Sequence, residues 1–179
     1  MHWLSKLIFF KILGWDLENH FDPSIKKCVI IVAPHTSNFD FFIGLLVRKI
    51  MNIHIDFIGK KELFRPPYGW YFRMIGGSPV DRNQNQKKVD AIVQLFEEHE
   101  IFRLALSPEG TRKKVERWKT GFYFIAVKAK VPIIMASFDF RKKLVKISDP
   151  FWPTGNFDTD FARIKSYYEG VEGKIPENF

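Results

Sequence analysis

His35 and Asp40 are the residues best suited to chemistry in this chain, five positions apart in Ala33-Pro34-His35-Thr36-Ser37-Asn38-Phe39-Asp40. An imidazole titrating near neutral pH takes a proton from a hydroxyl, and a carboxylate beside it fixes its tautomer and stabilises the imidazolium. That is the base-and-orienter half of a triad, sufficient alone where the substrate itself brings the hydroxyl. Helical neighbours lie three or four residues apart, so these two groups meet only if the chain turns between them. The flanks supply the turn. Residues 28–32 are an apolar run that reads as a buried strand, and residues 41–51 read as a helix. Ser37 or Asn38 is placed to cap that helix, with Asp40 in its first turn, where the dipole favours a carboxylate. In a chain with five His and ten Asp, chance supplies roughly 0.3 such spacings. The pair therefore gains meaning only in company.

A second group of residues suits anion binding. Glu109-Gly110-Thr111-Arg112 follows a strand-like run at 102–107. Gly110 lets backbone approach a ligand closely. Thr111 offers a hydroxyl, and Arg112 a planar fork matched to phosphate. Glu109 is placed to orient that arginine or bind a ligand hydroxyl. Arg82, beyond the turn Gly76-Gly77-Ser78-Pro79, is a second cation. Lys113, Lys114, Arg117 and Lys119 read as a solvated face. His2, His20, His54 and His99 have no partner in sequence and default to structural positions. The sequence has no glycine-rich nucleotide loop and no metal-ligand cluster, so no metal or bound cofactor is expected.

The elements that must position these groups follow from length and pattern. A chain of 179 residues, 46% hydrophobic and 27% charged, suits one globular domain with a sizeable core. Strand-like runs at 28–32, 55–59, 102–107, 131–138 and 144–147, the last expected at a sheet edge, alternate with helical patterns at 41–51, 86–100, 120–130 and 158–169. The alternation predicts an α/β fold: a single domain with a mixed, largely parallel sheet flanked by helices, plus an N-terminal amphipathic helix. In such sheets ligands bind beyond the carboxyl ends of strands. His35, Arg82 and the 109–112 loop all fall near such ends. Residues 172–179 read as irregular.

Residues 3–13 form the N-terminal amphipathic pattern, with Trp3, Leu4, Leu7, Phe9, Phe10 and Ile12 apolar and Lys6 and Lys11 at the polar edge. Two readings fit it: a helix packed on the domain, or a helix dipping into a leaflet. We divide the chain at 1–22 for this segment and 23–179 for the α/β domain. Residues 60–74 interleave aromatics with basic residues around Pro66-Pro67, as two short helices or a helix and a loop. The net charge of +8 suits a polyanion, either nucleic acid or an anionic membrane surface, and no nucleic-acid motif accompanies it. The single cysteine, Cys28, excludes an internal disulfide and reads as structural. No stretch of about 18 apolar residues marks a membrane span, and the N-terminus lacks the features of a signal peptide.

Taken together, the motifs resemble those of the glycerolipid acyltransferases, the PlsC-like family of 1-acylglycerol-3-phosphate acyltransferase. His35-Thr-Ser-Asn-Phe-Asp40 resembles the first motif, and Gly76-Gly-Ser-Pro-Val-Asp-Arg82 the second. Pro108-Glu109-Gly110-Thr111-Arg112, followed by Trp118-Lys119-Thr120-Gly121, resembles the third, and Val131-Pro132-Ile133-Ile134 the fourth. They occur in family order across the central three-fifths of the chain. Pro34 stands where members often have Asn, and Ser107 where they often have Phe.

The resemblance implies acyl transfer from acyl-CoA or acyl-carrier protein to the free hydroxyl of a lysophospholipid, 1-acylglycerol-3-phosphate first among acceptors, giving phosphatidate. His35 is then the base and Asp40 its orienter. Arg82, Glu109, Gly110, Thr111 and Arg112 hold the acceptor head group. The protein is expected to be peripheral, on the cytoplasmic side of an anionic membrane, with no nucleic-acid partner. Competing readings are the same chemistry on another lyso-lipid such as a lyso-aminolipid, thioester hydrolysis, and a non-catalytic membrane-binding module.

Overall fold

The computed structural model describes residues 2–80 and 85–179. Helix α1 (His2–Lys6) runs on into a π-helical turn (Leu7–Ile12). Then come β1 (Asp16–Glu18), β2 (Lys27–Ala33), α2 (Phe39–Met51) and β3 (Asp56–Lys60). A 3-10 turn (Lys61–Phe64), α3 (Gly69–Met74), β4 (Gly77–Val80) and α4 (Asn85–Glu98) follow. The chain closes with β5 (Phe102–Leu106), α5 (Gly121–Ala129), β6 (Ile133–Asp139), β7 (Leu144–Ile147) and α6 (Phe157–Ser166).

The strands form one seven-stranded sheet in the order β1-β7-β6-β2-β5-β3-β4. β2 to β6 are mutually parallel, and the β1–β7 pair runs antiparallel to β6. This is the α/β architecture that the alternating pattern predicts. β2 lies at its centre, covered on both faces, which is why its sequence is an unbroken apolar run. Its side chains still alternate. Val29, Ile31 and Ala33 join a core with Trp118, Phe122 and Ile164 from the α5 and α6 side. Cys28 and Ile30 join Phe9, Ile43 and Val47 on the α1 and α2 side.

Three expectations need correction. Residues 77–80 are a strand, not a turn, paired with β3 from Phe57↔Gly77 to Lys60↔Val80. β7 is not an edge strand, because β1 lies outside it with Asp16 opposite Leu144. The same pairing removes the division at residue 22: β1 belongs to the sheet, and Phe9, Trp15 and Phe21 are buried in its core. A strand as short as β1 carries too few residues to show an alternating pattern, and its position is decided by the partner it finds.

Candidate active site

β2 and β5 are parallel neighbours, with Ile31 opposite Leu106. The loops beyond their carboxyl ends therefore emerge side by side. One carries His35 and the other Glu109, and they touch: the His35 N–H donates to the two Glu109 carboxylate oxygens at 3.1 and 3.0 Å. Strand order brings together residues 74 positions apart.

The turn between His35 and Asp40 is built by reciprocal capping. Phe39 N–H donates to Ser37 Oγ at 3.1 Å, while Ser37 N–H donates to Asp40 Oδ2 at 2.8 Å. Ser37 Oγ–H completes the set, donating to Asp40 Oδ1 at 3.0 Å. The return bond from Asp40 is that of a capping box with Asp in place of Glu, while Ser37 Oγ accepts from the N–H two residues on and not three. It sets Asp40 in the first turn of α2, 2% exposed. At the other end Asn52, at φ 54°, closes the helix with its N–H on the Arg48 and Lys49 carbonyls, a left-handed cap that asparagine tolerates.

Asp40 Oδ2 also faces His35 Nδ1 at 3.1 Å. A carboxylate only accepts, so Nδ1 carries a proton, and in the neutral imidazole the lone pair is then on Nε2. The His35 side chain is 24% exposed, against 1% for Asp40. The geometry is thus a reachable base on a buried anion. Glu109 is also 2% exposed. Burial pushes its carboxyl up to about 7, against the opposing pull of the His35 amide.

The remaining residues singled out by motif fall in different places. Gly110, Thr111 and Arg112 lie exposed on the loop just beyond Glu109. Thr111 Oγ1 accepts from Lys113 N–H at 3.3 Å and shapes the turn. Gly110 has φ +66°, and a Cβ there would lie 2.6 Å from Lys119 Nζ. Lys119, read from sequence as part of a solvated face, is exposed and also lays its side chain beside Gly110, with its backbone N–H on the Pro108 carbonyl at 2.7 Å. The signal for it was its place in Trp118-Lys119-Thr120-Gly121, beside the third motif. Arg82 lies outside the described residues. β4 ends two residues before it, at the same end of the sheet and three strands from β2, about 14 Å away.

Sequence reasoning missed the cavity. A space of about 250 Å³ lies between α2 and the sheet, with His35 and Asp40 in its lining. Gly44, Val47, Arg48 and Met51 continue it along one side of α2, and Phe57, Ala105 and Ile134 are among its sheet residues. Apart from the His–Asp pair, Arg48 and Ser107, the lining is apolar. Arg48 donates to the Ile55 carbonyl at 2.9 Å, and burial lowers its pKa from the usual value. Nothing in the local pattern distinguishes a residue facing this space from one packed in solid core.

Residues 17–138 match the family described as Acyltransferase. Among solved structures, the fold is similar to that of the 1-acyl-sn-glycerophosphate (LPA) acyltransferase PlsC from Thermotoga maritima. The TM-score is 0.63 and the identity 21%, over 93% of this chain and 74% of that one. No curated protein matches the chain. A match spanning more than half the chain, with the His35–Asp40 pair at the carboxyl end of β2 inside it, establishes that this protein belongs to the acyltransferase family.

Proposed function

We propose that the protein moves a fatty acyl group from acyl-CoA or acyl-carrier protein to the free hydroxyl of a lysophospholipid, 1-acylglycerol-3-phosphate above others, giving phosphatidate. The observation that carries this reading is the His35–Asp40 pair in the lining of an apolar cavity. Along α2 the lining runs from Asp40 to Met51, roughly 16 Å at about 1.5 Å per residue. One leaflet of a bilayer has a hydrocarbon depth of about 15 Å, so the cavity has the length scale of one long acyl chain.

With the chain in the cavity and its thioester at His35, the acceptor hydroxyl attacks the carbonyl carbon while Nε2 takes its proton. The Asp40 carboxylate, 3.1 Å from Nδ1, stabilises the imidazolium that forms. The tetrahedral intermediate collapses, the carbon–sulfur bond breaks, and Nε2 returns the proton to the departing thiolate. Arg112 and Lys119, with Arg82 assigned by its motif, supply cations for the acceptor phosphate on the loop side. In this reading Glu109 positions His35 through its backbone and does not touch substrate.

The same reading puts the protein on an anionic leaflet as a peripheral enzyme. Among the described residues no helix is long and apolar enough to cross a membrane. Trp3, Leu4 and Ile12 are exposed near the N-terminus, as are Tyr68, Trp70 and Met74 around α3. Both groups adjoin α2: His2 Nδ1 bonds the Lys49 carbonyl, and Arg48 reaches the Ile75 carbonyl. These exposed apolar groups on the cavity's own helix layer support a membrane-facing surface.

The test is free-thiol release from a long-chain acyl-CoA, with and without lysophosphatidate, in wild type and His35→Ala. Acceptor-dependent release that vanishes in the variant is expected. Release without acceptor would instead mean hydrolysis. Release that depends on another lyso-lipid would change the acceptor and keep the chemistry. Full activity in His35→Ala would overturn the mechanism.

A further inference from the structure

Thr36 lies between the two catalytic groups and is 2% exposed. Its cover comes from the far end of the chain. Ile175 N–H donates to Thr36 Oγ1 at 3.2 Å. Gly173 sits on it so closely that a Cβ there would lie 2.7 Å from both Thr36 Oγ1 and Cγ2, and 3.1 Å from Pro34 Cβ. The Lys174 ammonium lies 4.1 Å from the centre of the Phe39 ring, a cation–π contact one residue before Asp40. The segment is tethered to the turn between β6 and β7 by Phe140 N–H on the Glu172 carbonyl at 2.8 Å, and by the Arg141–Glu172 ion pair at 2.8 Å. It thus touches the loop at positions 34, 36 and 39.

The loop needs such a hold. Its Asp40 end is fixed by Ser37, and the backbone of His35 by Glu109. Between them Thr36 is held through its side chain by the Ile175 N–H. We propose that residues 172–175 form a strap that positions the catalytic loop, with Gly173 the residue that lets it close on Thr36. The proposal rests on the reading of His35 and Asp40 as the catalytic pair. Neither strap nor Thr36 lines the apolar cavity, so the strap acts on the alignment of the base and not on acyl-chain binding.

A methyl group at position 173 begins 2.7 Å from Thr36, where ordinary contact begins at 3.4 Å. Thr36 or the strap must therefore yield by about 0.7 Å, and a displacement of that order next to a catalytic base costs about 10- to 100-fold in rate. Gly173→Ala is expected to lower kcat by that factor and leave KM for acyl-CoA within about twofold. In a Thr36→Ala background the two closest atoms are gone and only the 3.1 Å approach to Pro34 Cβ remains, so the same substitution should cost less than about threefold. Equal losses in both backgrounds, or a loss confined to KM, would overturn the proposal. Thr36→Val keeps the shape and removes the acceptor for Ile175 N–H. Should Gly173→Ala not fold, a Thr36→Val protein with wild-type kcat would refute the strap's role. A second readout needs no turnover: the NMR signal of the His35 Nδ1 proton, held by Asp40, should shift and exchange faster in Gly173→Ala. An unmoved signal overturns the strap. A shifted signal in a protein that acylates no acceptor would keep the strap and sink the proposed function instead.

Discussion

Asp40→Asn separates the two roles that the Asp40 carboxylate plays. One is structural: it accepts from Ser37 N–H at 2.8 Å and from Ser37 Oγ–H at 3.0 Å, which forms the start of α2. The other is electrostatic: it faces His35 Nδ1 at 3.1 Å with 1% of its side chain exposed. An asparagine oxygen keeps the bonds at Oδ2, while its amide nitrogen cannot accept from Ser37 Oγ. The structural cost is of the order of a lost cap, about 1 kcal/mol. The electrostatic cost is larger. A unit charge 3.1 Å from a protonated imidazole, at an effective dielectric of about 20, is worth about 5 kcal/mol of transition-state stabilisation as an upper bound. At 1.36 kcal/mol per decade, that limits the fall in kcat to between three and four orders of magnitude. We expect a fall of about 10²- to 10⁴-fold in steady-state thiol release, with a melting temperature lowered by only a few degrees. An Asp40→Asn protein within tenfold of wild-type kcat would show that Asp40 is a helix cap only, and that His35 works unassisted.

Three other outcomes follow from the same geometry. A Cβ on Gly44 would meet Phe138 at 3.8 Å, an ordinary contact, so Gly44→Ala should fold normally; Gly44→Leu extends into the cavity and should shift the preference to shorter acyl-CoA, read from rates across a chain-length series. An unchanged preference would remove the cavity from acyl binding. Glu109 is raised from 4.5 to about 7. Between those values the folded state keeps a proton that the unfolded chain has lost, so this group's contribution to stability falls as pH rises through that window and levels off above about 7. Urea midpoints at pH 5 and pH 8 should differ by less in Glu109→Gln than in wild type, and an equal difference in both would refute the assignment. Replacing Trp3, Leu4 and Ile12 together by Ser should weaken sedimentation with anionic vesicles and leave the fold intact, and unchanged binding would end the proposed role of the N-terminal face. Deleting this segment is a poorer test, because it removes Phe9, which is fully buried and worth about 1.5–3 kcal/mol to the core.

What was legible in the sequence was local. The apolar run of β2 and the helical run of α2 are patterns within one element, and the His35–Asp40 turn is the joint between them. β6 reads as a strand because its first six residues, Ile133 to Phe138, are apolar or small, as burial of the whole strand requires of all but Asp139 at its end. The Ser37–Asp40 capping contacts span three positions, so residue type and spacing suffice to place them. The tertiary structure decided the rest. Glu109 reads as a residue that orients Arg112 or binds a ligand hydroxyl; that its carboxylate accepts from the His35 amide follows from β5 lying beside β2. Gly173 is one small residue in an irregular tail, and only the path of that tail makes its missing side chain matter to Thr36. The cavity is an absence of atoms among residues that are apolar either way. Periodicity records which side of an element faces inward, but not which partner it meets there or how well the two surfaces fill the space between them. Those depend on strand order and on contacts between residues up to 139 positions apart.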